Sequence, residues 1–251
     1  MAKTSIGIDI GGTGIKGSLV DISTGELIGE RLRVETPPGG RPNDIAAVVK
    51  TLIKTLDPKA KAHSVGICFP AVVQHGVTLS AANVSQEWIG LDADALFTKV
   101  VGRDVHLIND ADAAGVAEMK FGVGRKESGV TLMTTLGTGI GTALFIQGEL
   151  VPNTELGHIE IDGVDYETKA AFSAKEREEL SWEEWAKRLQ RYYSKLEALF
   201  TPDLFIVGGG VSKEHELFLP LLKLKTTIVP AALKNNAGII GAARVASKNK
   251  K

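Results

Sequence analysis

Asp9-Ile-Gly-Gly-Thr-Gly14 is the stretch on which the reading of this chain turns, because an apolar run at 5–10 leads directly into it. Two later stretches repeat the arrangement. Leu136-Gly-Thr-Gly-Ile-Gly141 follows an apolar run at 130–135, and Val207-Gly-Gly-Gly-Val-Ser212 follows one at 204–207. Each run reads as a buried β-strand. Glycine after a strand lets the backbone turn tightly and brings its N–H groups within reach of a phosphate. A single loop of this kind is also what an ordinary tight turn looks like. Three in order, bracketing an Asn109-Asp110 pair that closes another apolar run, predict a phosphotransferase on a mixed α/β fold.

Around the first loop the pattern predicts an antiparallel meander at 5–10, 17–20 and 27–34, with Ser23-Thr24-Gly25 turning between the last two strands. Asn43 is the expected N-cap of a helix reaching Leu56, with Ile45, Val48, Leu52, Ile53 and Leu56 on one face. Strands follow at 65–69 and 105–108, and the second ends at Asn109-Asp110. A helix at 111–121, a hairpin of 130–135 with 141–146 and a strand at 204–207 restate the theme, as duplicated halves would. Ser181-Trp-Glu-Glu184 fits a capping box. It opens a long helix whose Trp182, Trp185, Leu189, Tyr192, Leu196 and Leu199 form a core stripe. The expected division is a small α/β domain at 1–109 and a large one at 110–236. The C-terminal helix at 237–251 returns to the first.

With 43% hydrophobic and 24% charged residues among 251, and a net charge of −1, the composition is that of a globular protein. It carries no general attraction for nucleic acid or membrane. The charge is uneven: acidic residues dominate 155–184, and basic ones dominate from Lys213 onward. Lys213, Lys223, Lys225, Lys234, Arg244 and the tail at 248–251 read either as solvated surface or as a track for a polyanion. Near the second loop, Lys120, Arg125 and Lys126 are matched by Glu118 and Glu127. Cys68 is the only cysteine, which excludes an internal disulfide and a multi-cysteine metal site. Its apolar neighbours at 65–69 make it a small buried residue. A strand begins almost at the first residue, no stretch is long enough to span a bilayer, and the cytoplasm is the expected location.

Three polar clusters carry chemistry. Asp9, at the tip of the first strand, either marks a turn or holds Mg²⁺ directly or through water, with Thr13 and Lys16 as added phosphate donors. Asp110 either caps a helix or serves as a general base, beside an Asn109 able to orient a hydroxyl. Glu155-Leu-Gly-His158 spaces a carboxylate and an imidazole to clamp adjacent hydroxyls of a sugar, or is structural. The other histidines, His63, His75, His106 and His215, show no pairing that suggests catalysis.

Taken in order, Asp9-Ile-Gly-Gly-Thr, Phe69-Pro70, Asn83 with Trp88, Asn109-Asp110-Ala-Asp-Ala-Ala, the second glycine loop, Glu155-Leu-Gly-His158 and Val207-Gly-Gly-Gly-Val-Ser resemble the ROK family of sugar kinases and repressors. The resemblance covers essentially the whole chain. It implies a two-domain actin-like ATPase fold with a ribonuclease-H-like core in each half, a sugar in the interdomain cleft and the phosphoryl donor on the glycine loops. By resemblance, Asp110 takes the proton from the sugar's primary hydroxyl, and Asn83, Asn109, Glu155, His158 and Glu167 contact the sugar. Asp9 is the metal-side aspartate for Mg²⁺. Gly11, Gly12, Thr13, Lys16, Gly137, Thr138 and Gly139 bind phosphate, and Gly208, Gly209 and Gly210 form the nucleotide-side loop.

Two departures qualify the resemblance. The family's cysteine-rich zinc motif after Glu-x-Gly-His is missing, so no zinc is expected and His158 is left for the sugar. Ala71 stands where many members have glycine. The missing zinc cysteines, the short length and the phrase Val151-Pro-Asn-Thr-Glu-Leu-Gly-His158 together resemble the polyphosphate glucokinase branch, which uses inorganic polyphosphate, sometimes with ATP, and sometimes phosphorylates mannose as well as glucose. The alternatives are an ATP-only glucokinase or N-acetylmannosamine kinase and, more distantly, a sugar-sensing regulator. A regulator of this family carries an N-terminal helix-turn-helix, for which a strand beginning by Thr4 leaves no room. A homodimer without nucleic-acid or membrane partners is the expected assembly.

Overall fold

The computed structural model describes residues 4–59 and 64–248. The chain forms two compact units, Met1–Ala117 with Asn236–Lys251, and Glu118–Asn235. In the first, β1 (Thr4–Ile10), β2 (Ile15–Asp21) and β3 (Leu27–Val34) form the expected antiparallel meander. Next come α1 (Pro42–Leu56), β4 (Ser64–Phe69), a small hairpin of β5 (Val73–Gln74) and β6 (Val77–Thr78), α2 (Ala93–Val101), β7 (Val105–Asn109) and α3 (Asp110–Phe121). The sheet order is β3-β2-β1-β4-β7, with β4 parallel to both β1 and β7. The carboxyl ends of β1, β4 and β7 therefore share one edge of the sheet, the edge at which α/β sheets present ligand-binding loops.

α1 begins two residues earlier than the sequence suggests. Arg41 occupies the N-cap without a side-chain cap bond, and Pro42 opens the helix, so Asn43 is not the cap. Proline suits that position because its φ is already helical and the N–H it lacks would have no partner there. Ile45, Leu52 and Ile53 are buried. Leu52 lies over Gly17 of β2, where a Cβ would come 2.4 Å from its Cδ2.

The second unit restates the plan. β8 (Val130–Leu136), β9 (Ile140–Ile146) and β10 (Glu149–Val151) are antiparallel. A hairpin of β11 (Glu160–Ile161) and β12 (Val164–Asp165) leads to α4 (Glu167–Ala170), α5 (Phe172–Arg177) and α6 (Trp182–Phe200). β13 (Leu204–Gly208) and β14 (Thr227–Pro230) complete a sheet of order β10-β9-β8-β13-β14. β13 is parallel to β8 and β14. Both sheets thus send a strand into a glycine loop, return antiparallel, and add two parallel strands on the other side.

The capping box of α6 is formed in both directions: Glu184 N–H donates to Ser181 Oγ (3.2 Å) and Ser181 N–H to Glu184 Oε2 (2.8 Å). Trp185, Leu189, Tyr192 and Leu196 are buried, as the stripe predicts. Leu199 is 55% exposed, and Phe200 packs on the core in the last turn in its stead. Tyr193 joins the buried face, its hydroxyl 2.6 Å from Thr134 Oγ1. Glu118 is no surface partner for nearby lysines. It is fully buried, and its two oxygens accept the N–H groups of Leu233 (2.7 Å) and Val123 (3.1 Å).

The chain ends with α7 (Ala237–Lys248), which packs across β1 and β4 of the first sheet. A Cβ at Gly7 would lie 1.9 Å from the Ile239 carbonyl oxygen, and one at Gly66 equally close to that of Ala242. A Cβ at Gly241 would lie 1.7 Å from the Ala113 carbonyl oxygen, which ties the first half of α3 to the same unit. The break therefore falls inside α3, after Ala117, and not ahead of it at Asp110. No helix among the described residues is long and apolar enough to cross a membrane. Gly66→Ala is expected to destabilise the protein by about 3 kcal/mol, because backbone and not a flexible side chain must move. A urea melt checks this, and an unshifted midpoint would show that α7 does not lie so close.

Candidate active site

In the first unit the site residues gather where β1, β4 and β7 end. Asp9 Oδ2 accepts a hydrogen bond from Lys16 Nζ (3.2 Å), and its Oδ1 lies 3.5 Å from the Cys68 thiol. Cys68 is completely buried, and burial pushes its thiol well above the usual range. The negative charges of Asp9 and Asp110 push it the same way. Gly12 abuts Asn83, whose Cβ would be 2.8 Å from a Cβ built on the glycine. Asn83 itself is exposed and left-handed (φ 60°), a conformation asparagine tolerates.

Asn109 and Asp110 divide their tasks differently from the sequence reading. Asn109 caps α3: its Oδ1 accepts the Asp112 N–H (3.0 Å), and its Nδ2 donates to the Ala71 carbonyl (3.0 Å). It is buried, and its amide carries a second N–H besides the one given to Ala71. Asp110 is exposed on the first residue of α3, and its Oδ1 accepts the N–H of Ala111 (2.8 Å).

The first two glycine loops share a construction that the sequence did not reveal. Gly11 N–H donates to Gly14 O (3.0 Å), and Gly137 N–H donates to Gly139 O (3.0 Å). In each, one glycine N–H closes the loop on itself. Gly12, Thr138 and Gly139 donate to no protein acceptor among the described residues. The second loop is further held by Ser173, whose N–H and Oγ donate to Gly137 O (3.1 Å) and Thr138 O (2.6 Å).

The third loop lies against the second. Gly209 has φ 85° and ψ 175°, a region essentially reserved for glycine, and a Cβ there would be 2.2 Å from Leu136 O. Gly157 of the Glu155–His158 turn likewise abuts the Ile140 carbonyl, at 2.1 Å from a Cβ. Glu167 joins this group through Oε2, which accepts the Ile140 N–H (2.6 Å).

His158 stands between two carboxylates. Its Nδ1 donates to Asp165 Oδ2 (2.9 Å), and its Nε2 is 4.0 Å from Glu167 Oε1. The bond to Asp165 holds the imidazole pKa above its ordinary 6.5; partial burial opposes this, and the charges of Glu167, Asp165 and Glu155 add to it. Glu155 is pushed up by burial and by Glu167, with His158 pulling the other way. Asp165 escaped the sequence reading. Its signal was the Asp162-Gly163 turn, both residues left-handed, which folds β12 back along β11 and returns Asp165 toward His158. His63 and the tail residues 249–251 lie outside the described residues. No group of three or more His, Cys, Asp or Glu suited to a metal occurs among the described residues.

Because the folded pKa of His158 is raised, its pair with Asp165 contributes stability that is complete below pH 6.5 and lost as pH rises through the folded value. Asp165→Asn should lower the His158 midpoint toward 6.5 in an NMR titration. The stability gap from wild type should narrow between mildly acidic and alkaline urea melts. An unmoved midpoint would show that Asp165 does not hold the imidazole.

The ROK family signature matches residues 5–171. The polyphosphate glucokinase of Mycobacterium tuberculosis (strain CDC 1551 / Oshkosh) is 45% identical over 242 residues, covering 96% of this chain and 90% of that protein. The crystal structure of the inorganic polyphosphate/ATP-glucomannokinase of Arthrobacter sp. strain KM superimposes with a TM-score of 0.92 at 52% identity, covering 98% of this chain and 99% of the other. A ROK family glucokinase from Streptomyces griseus, in complex with glucose and AMPPNP, gives 0.84 at 25% identity, covering 98% and 100%. With two sheets of one topology, each carrying its glycine loop, and with these relatives along almost its whole length, the chain belongs to the ROK family and has its actin-like ATPase fold.

Proposed function

We propose that this protein is a polyphosphate–glucose phosphotransferase, which moves a phosphoryl group from inorganic polyphosphate to the 6-hydroxyl of glucose, with ATP as a second donor and mannose as a second acceptor. One observation carries the reading. Identity is 52% and 45% to two proteins named for polyphosphate use, and falls to 25% for the glucokinase crystallised with glucose and AMPPNP. That fall sets an ATP-only glucokinase or an N-acetylmannosamine kinase behind it.

Phosphoryl transfer asks a protein mainly to align nucleophile and donor and to offset charge. In this reading the Asp110 carboxylate takes the proton of the 6-hydroxyl as the new oxygen–phosphorus bond forms, and the shortened donor leaves with the electrons of the broken bond. The Ala111 N–H, bound to Oδ1, orients that carboxylate. Asn83, Asn109, Glu155, His158 and Glu167 are assigned to the sugar hydroxyls. Asn109 contributes its remaining amide N–H, and His158 an imidazole oriented by Asp165.

Gly12, Thr13, Lys16, Thr138 and Gly139 are assigned to the phosphates, while Gly11 and Gly137 support them by closing the loops. Gly208, Gly209 and Gly210 border the donor on the nucleotide side when ATP is used. Asp9 offers the hard oxygen ligand that Mg²⁺ takes beside phosphate oxygens and water, and the ion would offset donor charge. A cytoplasmic homodimer without zinc belongs to the same reading.

Glucose 6-phosphate formation with polyphosphate or ATP as sole donor tests it, and turnover with polyphosphate free of ATP is expected. Asp110→Asn keeps an oxygen for the Ala111 N–H, so it should fold and bind glucose while kcat falls by about 10²–10⁴. Retained turnover would remove Asp110 from the role of base.

A further inference from the structure

The register of the first sheet sets three charged side chains in a row: Asp9 on β1 opposes Lys16 on β2, and Lys16 opposes Arg33 on β3. Directly opposed residues project from the same face. Lys16 is compensated by Asp9 across 3.2 Å. Arg33 has no such partner: its cross-strand neighbour is a cation, an arrangement that destabilises an antiparallel pair. No carboxylate among the described residues forms an ion pair with it.

What the guanidinium touches is the first glycine loop. Nη2 donates to the Thr13 carbonyl (3.3 Å), and a Cβ on Gly14 would sit 3.0 Å from both Nε and Nη2. The backbone at Gly14 is not left-handed, so conformation does not demand glycine there. The clearance it leaves lets the guanidinium lie across the loop. An exposed cation, opposed to another cation and seated over a phosphate-type loop, lacks an anion.

The basic C-terminal segment is divided between the two units. Lys213, Lys223, Lys225 and Lys234 belong to the second unit, and Arg244 on α7 bonds to Ser247 in the next turn (3.4 Å).

We propose that Arg33 is a donor-binding residue, which holds phosphate groups of the polyphosphate chain at the first glycine loop. A guanidinium presents its N–H groups in a planar fork that matches phosphate oxygens two at a time. At an exposed position its attraction is screened by salt. The inference rests on the donor reading above, and the experiment separates the two.

The KM for polyphosphate is measured for wild type, Arg33→Gln and Arg33→Lys at saturating glucose and Mg²⁺, in low and high salt, with the KM for glucose alongside. Arg33→Gln should raise the polyphosphate KM about tenfold, as expected for a lost charge-assisted contact. Arg33→Lys should recover part of it, the difference should shrink in high salt, and the glucose KM should stay put. Wild-type turnover with an unchanged polyphosphate KM in Arg33→Gln overturns the role of Arg33 alone. So does a rise matched by the glucose KM, which would mark a structural effect. A wild type with no polyphosphate-dependent turnover overturns the donor reading, and the role of Arg33 with it.

Discussion

At Gly7, Gly66, Gly157, Gly209 and Gly241 the backbone of one element lies so close to that of another that a Cβ would overlap it. Nothing larger than hydrogen fits, and much of the architecture follows from that. α7 settles onto β1 and β4 because Gly7 and Gly66 admit its carbonyls. The third glycine loop reaches the second because Gly209 adopts a conformation other residues avoid. The His158 turn comes up against Ile140 through Gly157. The same economy of side chains that lets elements touch also leaves backbone N–H groups uncovered, and uncovered N–H groups are what an anion seeks. In this chain close packing and phosphate recognition draw on one residue type.

The second unit shows how such a surface is kept in shape. Ser173 binds two carbonyls of the second loop, Glu167 takes the Ile140 N–H, and Asp165 holds His158 beside Glu167. Sugar-side and phosphate-side candidates are therefore neighbours within a single hydrogen-bonded assembly. Glu167 belongs to both, with one oxygen on the loop and the other facing the imidazole.

Features coded by near neighbours were legible in the sequence. The meander, the hairpin across the second loop and the Ser181–Glu184 capping box each need only a few adjacent residues, and all are present. The buried Cys68 followed from its apolar run. What escaped depends on partners distant in the chain. Glu118 looks like surface charge until Leu233 arrives to bond it. The second task of Asn109, which ties the start of α3 to the Ala71 carbonyl, appears only once Ala71 is brought beside it. Arg33 is the clearest case. Counting back from the Val20–Leu27 pair sets Lys16 against Arg31, but the irregularity between Gly17 and Leu19 moves the register and brings Arg33 there. A bulge is a local event with a distant result, and no periodicity reports it.

α7 is the last element of the chain, yet it covers the sheet that β1 begins. During synthesis the strands of the first unit leave the ribosome long before the helix that seals them, while the second unit emerges whole between the two. The second unit is thus free to fold first, although domains ordinarily fold from the N-terminal end. Until α7 emerges, the glycine-lined face of β1 and β4 is open to water and to chaperones. The first glycine loop, though made before the second unit, belongs to the unit completed after it.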